Sequence, residues 1–171
     1  MKTTARNPAH HMPAWTPALT FHVPGIPHAK QRPRMTRSGK TFTPPATRAY
    51  ERSVALHARA VARARQLAPK GTPVRVDILA QYPRPKRLAG APDGLLPKFV
   101  QQHGDLDNHV KAVLDGINKS GIWGDDCQVQ CIRAESVYCA TGHRPQSSIT
   151  ISLPTDPPHA ILATSTTGAP R

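Results

Sequence analysis

The segment from Val74 to Tyr82 constrains the fold most. Val74, Val76, Ile78, Ala80 and Tyr82 alternate strictly with other residues, and a period of two puts them all on one face of an extended chain. Leu19, Phe21 and Val23 repeat the pattern before Pro24-Gly25-Ile26-Pro27 ends it, and Ile149, Ile151 and Leu153 repeat it again near the C-terminus. Between these strands the period changes. Pro44-Pro45 opens a helix expected to continue to about Leu67, with Tyr50, Val54, His57 and Val61 on one stripe and Pro69-Lys70-Gly71 as its stop. A second helix is expected from Asp107, its N-cap, with Val110, Val113, Leu114 and Ile117 facing inward and Ser120-Gly121 ending it. His57 reads as a satisfied core histidine rather than a ligand. Gly124-Asp125-Asp126 then turns the chain into a strand over about Cys127 to Tyr138, and Thr141-Gly142 makes the next turn.

One domain is expected over residues 18–153. Residues 1–17 and 154–171, rich in Pro, Thr and Ala and without periodicity, read as flexible tails. Residues 83–104 form a long Pro/Gly loop carrying Arg84, Lys86, Arg87 and Lys98. No apolar run reaches membrane-spanning length and no secretory signal is seen, which points to a cytoplasmic protein. Cys127, Cys131 and Cys139 are odd in number and form no CxxC pair, which suits a reducing compartment and thiols that line a strand.

The charge is lopsided. The formal net charge is +13, an electrostatic footprint for a polyanion, most often nucleic acid. Lys30, Arg32, Arg34, Arg37 and Lys40 crowd one stretch with no acid among them, and the Ser38-Gly39 turn signal suggests a basic hairpin. These residues, with Arg84 and Lys86, are the expected phosphate contacts. Aromatic residues are only 5% of the chain, so base stacking is not an obvious mode.

Against that background, five of the ten acidic residues (Asp105, Asp107, Asp115, Asp125 and Asp126) fall between His103 and Gln128. Carboxylate oxygens are the hard ligands that Mg²⁺ prefers, and a cation there would let an acidic pocket approach phosphates. Asp105 and Asp107 flank one residue, so in an extended segment both point the same way. Asp125 and Asp126 return alongside if the following strand runs back along the helix. Lys111, one turn from Asp107, is placed to meet a scissile phosphate. Taken singly, Asp107 is equally well a helix cap and Asp125-Asp126 a turn. Their conjunction with Asn108, Lys111 and a basic scaffold favours a site.

The segment DLDNHVKAVLDGINKSGIWGDDCQV resembles the signature of the RusA-type Holliday junction resolvases, crossover junction endodeoxyribonucleases. FHVPGIPHAKQRPRMTRSGKTFTPPATRAYE is similar to that family's first strand, basic segment and first helix, and YPRPK to the end of its next strand. The resemblance spans about residues 19–153. It implies an α+β fold, a mixed sheet packed by two main helices. It also implies Asp105, Asp107 and Asp126 as metal-binding catalytic aspartates and Lys111 as the catalytic lysine, with Asp125 and Asn108 in support. Mg²⁺, with Mn²⁺ as substitute, a homodimer and a four-way junction as substrate follow from the same resemblance. The chain departs from the family at His103-Gly104, where a Lys-Pro or similar pair usually precedes the first aspartate. Two other readings remain: a non-catalytic protein that captures junctions or single strands, and a zinc-binding regulator using Cys127, Cys131 and nearby histidines.

Overall fold

The computed structural model describes residues 14–94 and 105–155. In chain order these form β1 (Trp15–Pro24), β2 (Arg34–Met35), β3 (Thr41–Phe42), α1 (Pro45–Val61), β4 (Val74–Tyr82), α2 (Leu106–Ser120), β5 (Val129–Tyr138) and β6 (Gln146–Pro154). Four strands make one sheet in the order β1-β6-β4-β5, and β2 and β3 form a separate two-stranded hairpin. β6 runs antiparallel to both β1 and β4, whereas β4 and β5 are parallel. Two parallel neighbours need a crossover, and α2 supplies it. The sheet is therefore mixed and the class α+β, as the resemblance implied.

The alternation read in β4 holds at every position: Val74, Val76, Ile78, Ala80 and Tyr82 are all buried. Registry aligns the rows, with Phe21 and Ile78 each opposite Ile149 and Leu19 and Val76 each opposite Ile151. Directly opposed residues share a face, so these rows build one apolar surface. Tyr50, Val54 and Ala58 of α1 and Ala112, Val113 and Ile117 of α2 close over it in a single core.

Element ends differ from the sequence reading in four places. β1 begins at Trp15, and Thr155 donates its N–H to the Ala14 carbonyl, so the sheet extends into residues assigned to the N-terminal tail. β6 likewise runs through Pro154, the first residue of the expected C-terminal tail, and residues 1–13 and 156–171, Lys98 and His103-Gly104 lie outside the described residues. α1 ends at Val61 rather than near Leu67. Arg63 and Ala64 adopt positive φ, and the Leu67 and Ala68 N–H groups both bond the Ile122 carbonyl. Continuing the helix would carry these residues away from that partner. α2 starts at Leu106 with Asp105, not Asp107, at the N-cap.

Polar groups inside the fold are paired. His109 is fully buried, its ring bonded to the His28 carbonyl at 3.3 Å and facing the Ser147 hydroxyl at 3.4 Å, which in turn meets Tyr50 Oη at 2.7 Å. His57 Nδ1 lies 2.8 Å from the Ser53 carbonyl, so the ring is satisfied as expected, although it is half-buried rather than in the core. Buried Glu51 of α1 accepts from Lys119 of α2, and Arg59 donates to the last carbonyls of α2 at Lys119 and Ser120. These bonds satisfy helix-end acceptors that would otherwise have no intrahelical partner.

Candidate active site

Asp105 occupies the N-cap of α2 with an extended backbone (φ −79°, ψ 145°), and its side chain makes no capping bond. Asp107 follows in the first turn. Both are exposed, and the Asp107 carboxylate also meets the main-chain N–H groups of Asp107 and Asn108 at the start of the helix. Lys111 Nζ donates to Asp107 Oδ2 at 2.9 Å across one turn. That hydrogen bond, more than charge alone, holds the Asp107 carboxyl below its ordinary range. With both side chains about 60% exposed, the pair contributes little to stability. Its use is to keep an ammonium beside a carboxylate at the mouth of the helix.

The other aspartate pair sits at the far end. Asp125 caps a short 3₁₀ turn over Asp126–Gln128: its Oδ1 accepts the Cys127 N–H at 2.9 Å, and Gln128 Oε1 reaches back to the Gly124 and Asp125 N–H groups at 2.8 and 3.1 Å. Buried Gln128 also donates to the carbonyls of Pro69 and Thr72 at 2.9 and 2.8 Å, which ties this turn to the entry of β4. The Cys127 N–H lowers the Asp125 pKa. A hydrogen bond shared with Asp125, followed by some desolvation and the charges of Asp125 and Asp115, raises that of Asp126, while Asn118 opposes the rise.

Asn118 and Trp123 were not singled out from the sequence. Trp123 Nε1–H donates to Asn118 Oδ1, and an indole N–H can only donate. The amide therefore turns its NH₂ outward, toward Asp126. The signal was present as an Asn and a Trp inside the motif, but periodicity cannot show that they touch.

The basic segment returns to the same helix. The Lys30 N–H donates to the Asn108 carbonyl at 2.8 Å, and Lys30 Nζ pairs with Asp115, a carboxylate also left out of the expected site. Arg32, Arg34, Arg37 and Lys40 lie beyond this anchor, all exposed, on and around the β2–β3 hairpin. The hairpin expected at Ser38-Gly39 is present. Lys86 is exposed as well. Arg84 is not: its guanidinium donates to the carbonyls of Cys139 at 2.9 Å, Ala91 at 2.6 Å and Leu88 at 3.3 Å, pairs with Asp93, and leaves the side chain only 8% exposed. Expected at the DNA interface, Arg84 instead organises the loop after β4.

The carboxylates thus stand in two groups. Asp107 and Asn118 are eleven helical residues apart, about 16 Å of rise. The turn that reverses the chain into β5 places Asp126 beside Asn118 rather than Asp107. Among the described residues no three His, Cys, Asp or Glu side chains lie close enough to hold one ion. Asp105 and Asp107 nevertheless fit Mg²⁺ in their chemistry, because that ion is commonly held by one or two carboxylates, with water and substrate phosphate completing its shell.

The model of one protein family, endodeoxyribonuclease RusA, matches residues 24–152. The chain belongs to this family. The match runs from the end of β1 into β6 and so takes in the hairpin, both helices and all the motif aspartates. Membership makes the chain a nuclease of DNA by family, and it assigns the acidic helix end and the basic hairpin to one domain. No curated protein matches the chain. Among the described residues no helix is long and apolar enough to cross a membrane.

Proposed function

We propose that the protein is a metal-dependent, structure-selective DNA endonuclease that resolves four-way junctions by phosphodiester hydrolysis, serving recombination and repair. The observation that carries this reading is the pair of exposed carboxylates, Asp105 and Asp107, beside Lys111 on a helix that also anchors the basic hairpin. Asp105 and Asp107 would hold Mg²⁺ or Mn²⁺, with Asp126 as the motif's third aspartate and Asp125 and Asn108 in support. A bound divalent ion supplies an activated water and offsets charge on the phosphorane. Lys111 is a mobile donor that can leave Asp107 for a phosphate oxygen and stabilise charge as it develops. Arg32, Arg34, Arg37 and Lys40 grip the backbone, where each neutralised phosphate releases counterions, while Lys30 holds the root of the hairpin on Asp115. A homodimer would set two such sites on two strands.

The test is cleavage of a labelled four-way junction beside a linear duplex of the same sequence, in Mg²⁺ and in EDTA. Symmetric nicks on the junction, absent in EDTA and reduced at least a hundredfold in Asp105→Asn and Asp107→Asn, are expected. Wild-type cutting by Asp107→Asn would sink the assignment. Tight junction binding with no cut under any metal would mean a capture protein instead, and stoichiometric zinc in the purified protein would point to the cysteines.

A further inference from the structure

Residues 31–42 are exposed without interruption; Met35, at 73%, is the most exposed large apolar side chain among the described residues, and Phe42, at 37%, is exposed as well. They sit on the basic hairpin, Phe42 opposite Arg34 and Met35 opposite Thr41, so the two project from opposite faces. The ribbon is built rather than loose. Thr36 and Lys40 close it with a 2.9 Å main-chain bond, Gly39 donates to the Thr36 carbonyl at 3.0 Å, and Thr36 Oγ1 accepts the Lys40 N–H at 3.1 Å. Gly39 takes φ +77°, which a side chain would resist. Its root is equally fixed: Lys30 is bonded to Asn108 and Asp115 of α2, and the Gln31 N–H to Thr47 Oγ1 of α1 at 3.3 Å.

Apolar side chains on a ribbon carrying Arg32, Arg34, Arg37 and Lys40, with no acid, suit few partners. An apolar protein surface leaves the cations unpaired, and an acidic one leaves Met35 and Phe42 without contact. Nucleic acid offers both, phosphates for the cations and base faces for the apolar groups. Intact duplex hides its base faces by stacking, whereas a branch point exposes them where stacks are interrupted. Four residues from Lys30 to Arg34 span at most about 14 Å, so the ribbon works within a few base-pair steps of the α2 carboxylates.

We infer that the β2–β3 hairpin is a wedge whose Phe42 and Met35 engage unstacked bases at the branch point, so that selectivity for branched DNA resides there. This rests on the nuclease reading above and adds the element that recognises the branch. The full chain is assayed in EDTA, so that binding is read without cutting, on a four-way junction with 2-aminopurine at the branch and on a linear duplex with the same base internally. Wild type should brighten the branch probe alone. Phe42→Ala with Met35→Ala should abolish that signal and weaken junction binding about tenfold or more, while duplex affinity, its salt slope and the thermal transition stay as in wild type. Arg37→Gln, by contrast, should weaken both substrates and lower the salt slope by about one. A double variant that keeps the branch signal and the wild-type preference for the junction overturns the wedge and leaves the nuclease reading standing. Loss of affinity for both substrates in equal measure also overturns it. Wild-type protein that binds the two substrates alike, with no branch signal, overturns the junction reading itself.

Discussion

Arg84 and His109 show how differently two side chains are used from what their type suggests. Counted by sequence, Arg84 is one more cation on a basic loop. In the fold its guanidinium donors are spread over the carbonyls of residues 88, 91, 92 and 139 and the carboxylate of Asp93, the planar fork being suited to that task. Arg84→Gln should therefore lower the thermal transition, by about 1–3 kcal/mol of stability, and leave the salt dependence of DNA binding unchanged. A drop of one in the salt slope with an unchanged melting temperature would place Arg84 at a phosphate after all. His109 is neutral in the fold, since burial lowers its pKa to about 4 from the ordinary 6.5, outweighing the hydrogen bond to the His28 carbonyl, which acts to raise it. Between those values the unfolded chain binds a proton that the folded chain refuses. Stability is then fully present above pH 6.5 and is lost as pH falls toward 4, by about 3 kcal/mol. Urea unfolding in metal-free buffer across that window should show the loss, and His109→Phe should flatten it; an unaltered acid limb in the variant would assign the effect elsewhere.

At the scale of elements, one glycine sets how closely the helices pack. A Cβ added at Gly116 of α2 would stand 2.6 Å from Val54 Cβ, 2.7 Å from Val54 Cγ1 and 2.9 Å from the Glu51 carbonyl of α1. Alanine is the better helix former by up to about 1 kcal/mol, yet overpacking costs about 1–3 kcal/mol, and here two of the three clashing partners lie at the Cβ and main chain, which cannot rotate aside. Gly116→Ala is expected to be net destabilising in chemical denaturation, and Val54→Ala in the same chain should recover part of the loss. A variant as stable as wild type would show that the helices separate freely. Sequence periodicity identified α2 and its apolar stripe of Val110, Val113, Leu114 and Ile117, of which Val113 and Ile117 are fully buried and Val110 and Leu114 only half-buried. The buried side of the helix is His109, Ala112, Val113, Gly116, Ile117 and Ser120. Small and polar residues carry no hydrophobic signal, although they are what permits close approach. The end of α1 was illegible for a related reason, because Leu67 and Ala68 leave the helix to reach Ile122, a partner far away in sequence.

For the whole molecule, charge is the controlling quantity. With a net charge of +13 and Arg32, Arg34, Arg37 and Lys40 exposed on and beside one ribbon, affinity for duplex DNA should fall steeply and linearly on a log–log salt plot. Lys40→Gln should shift that slope by about one at every salt concentration tested, as titration of a labelled duplex would show; a weak slope in wild type would mean that the ribbon does not meet phosphate. Composition alone determined this basic character, and residue type and spacing determined the strands, the two helices, the hairpin and the motif that marks the family, because these depend on periods of two and 3.6 and on turn chemistry within a few residues. What only the tertiary structure decided is which groups meet. It turned Arg84 inward, paired Lys30 with Asp115, locked Asn118 between Trp123 and Asp126, and set Asp105 and Asp107 at one end of α2 with Asp126 at the other. Those outcomes depend on the crossover from β4 to β5, on the path of the turns, and on contacts such as Lys30 with Asp115 and Arg84 with Cys139 between segments dozens of residues apart, where no local pattern records the neighbour.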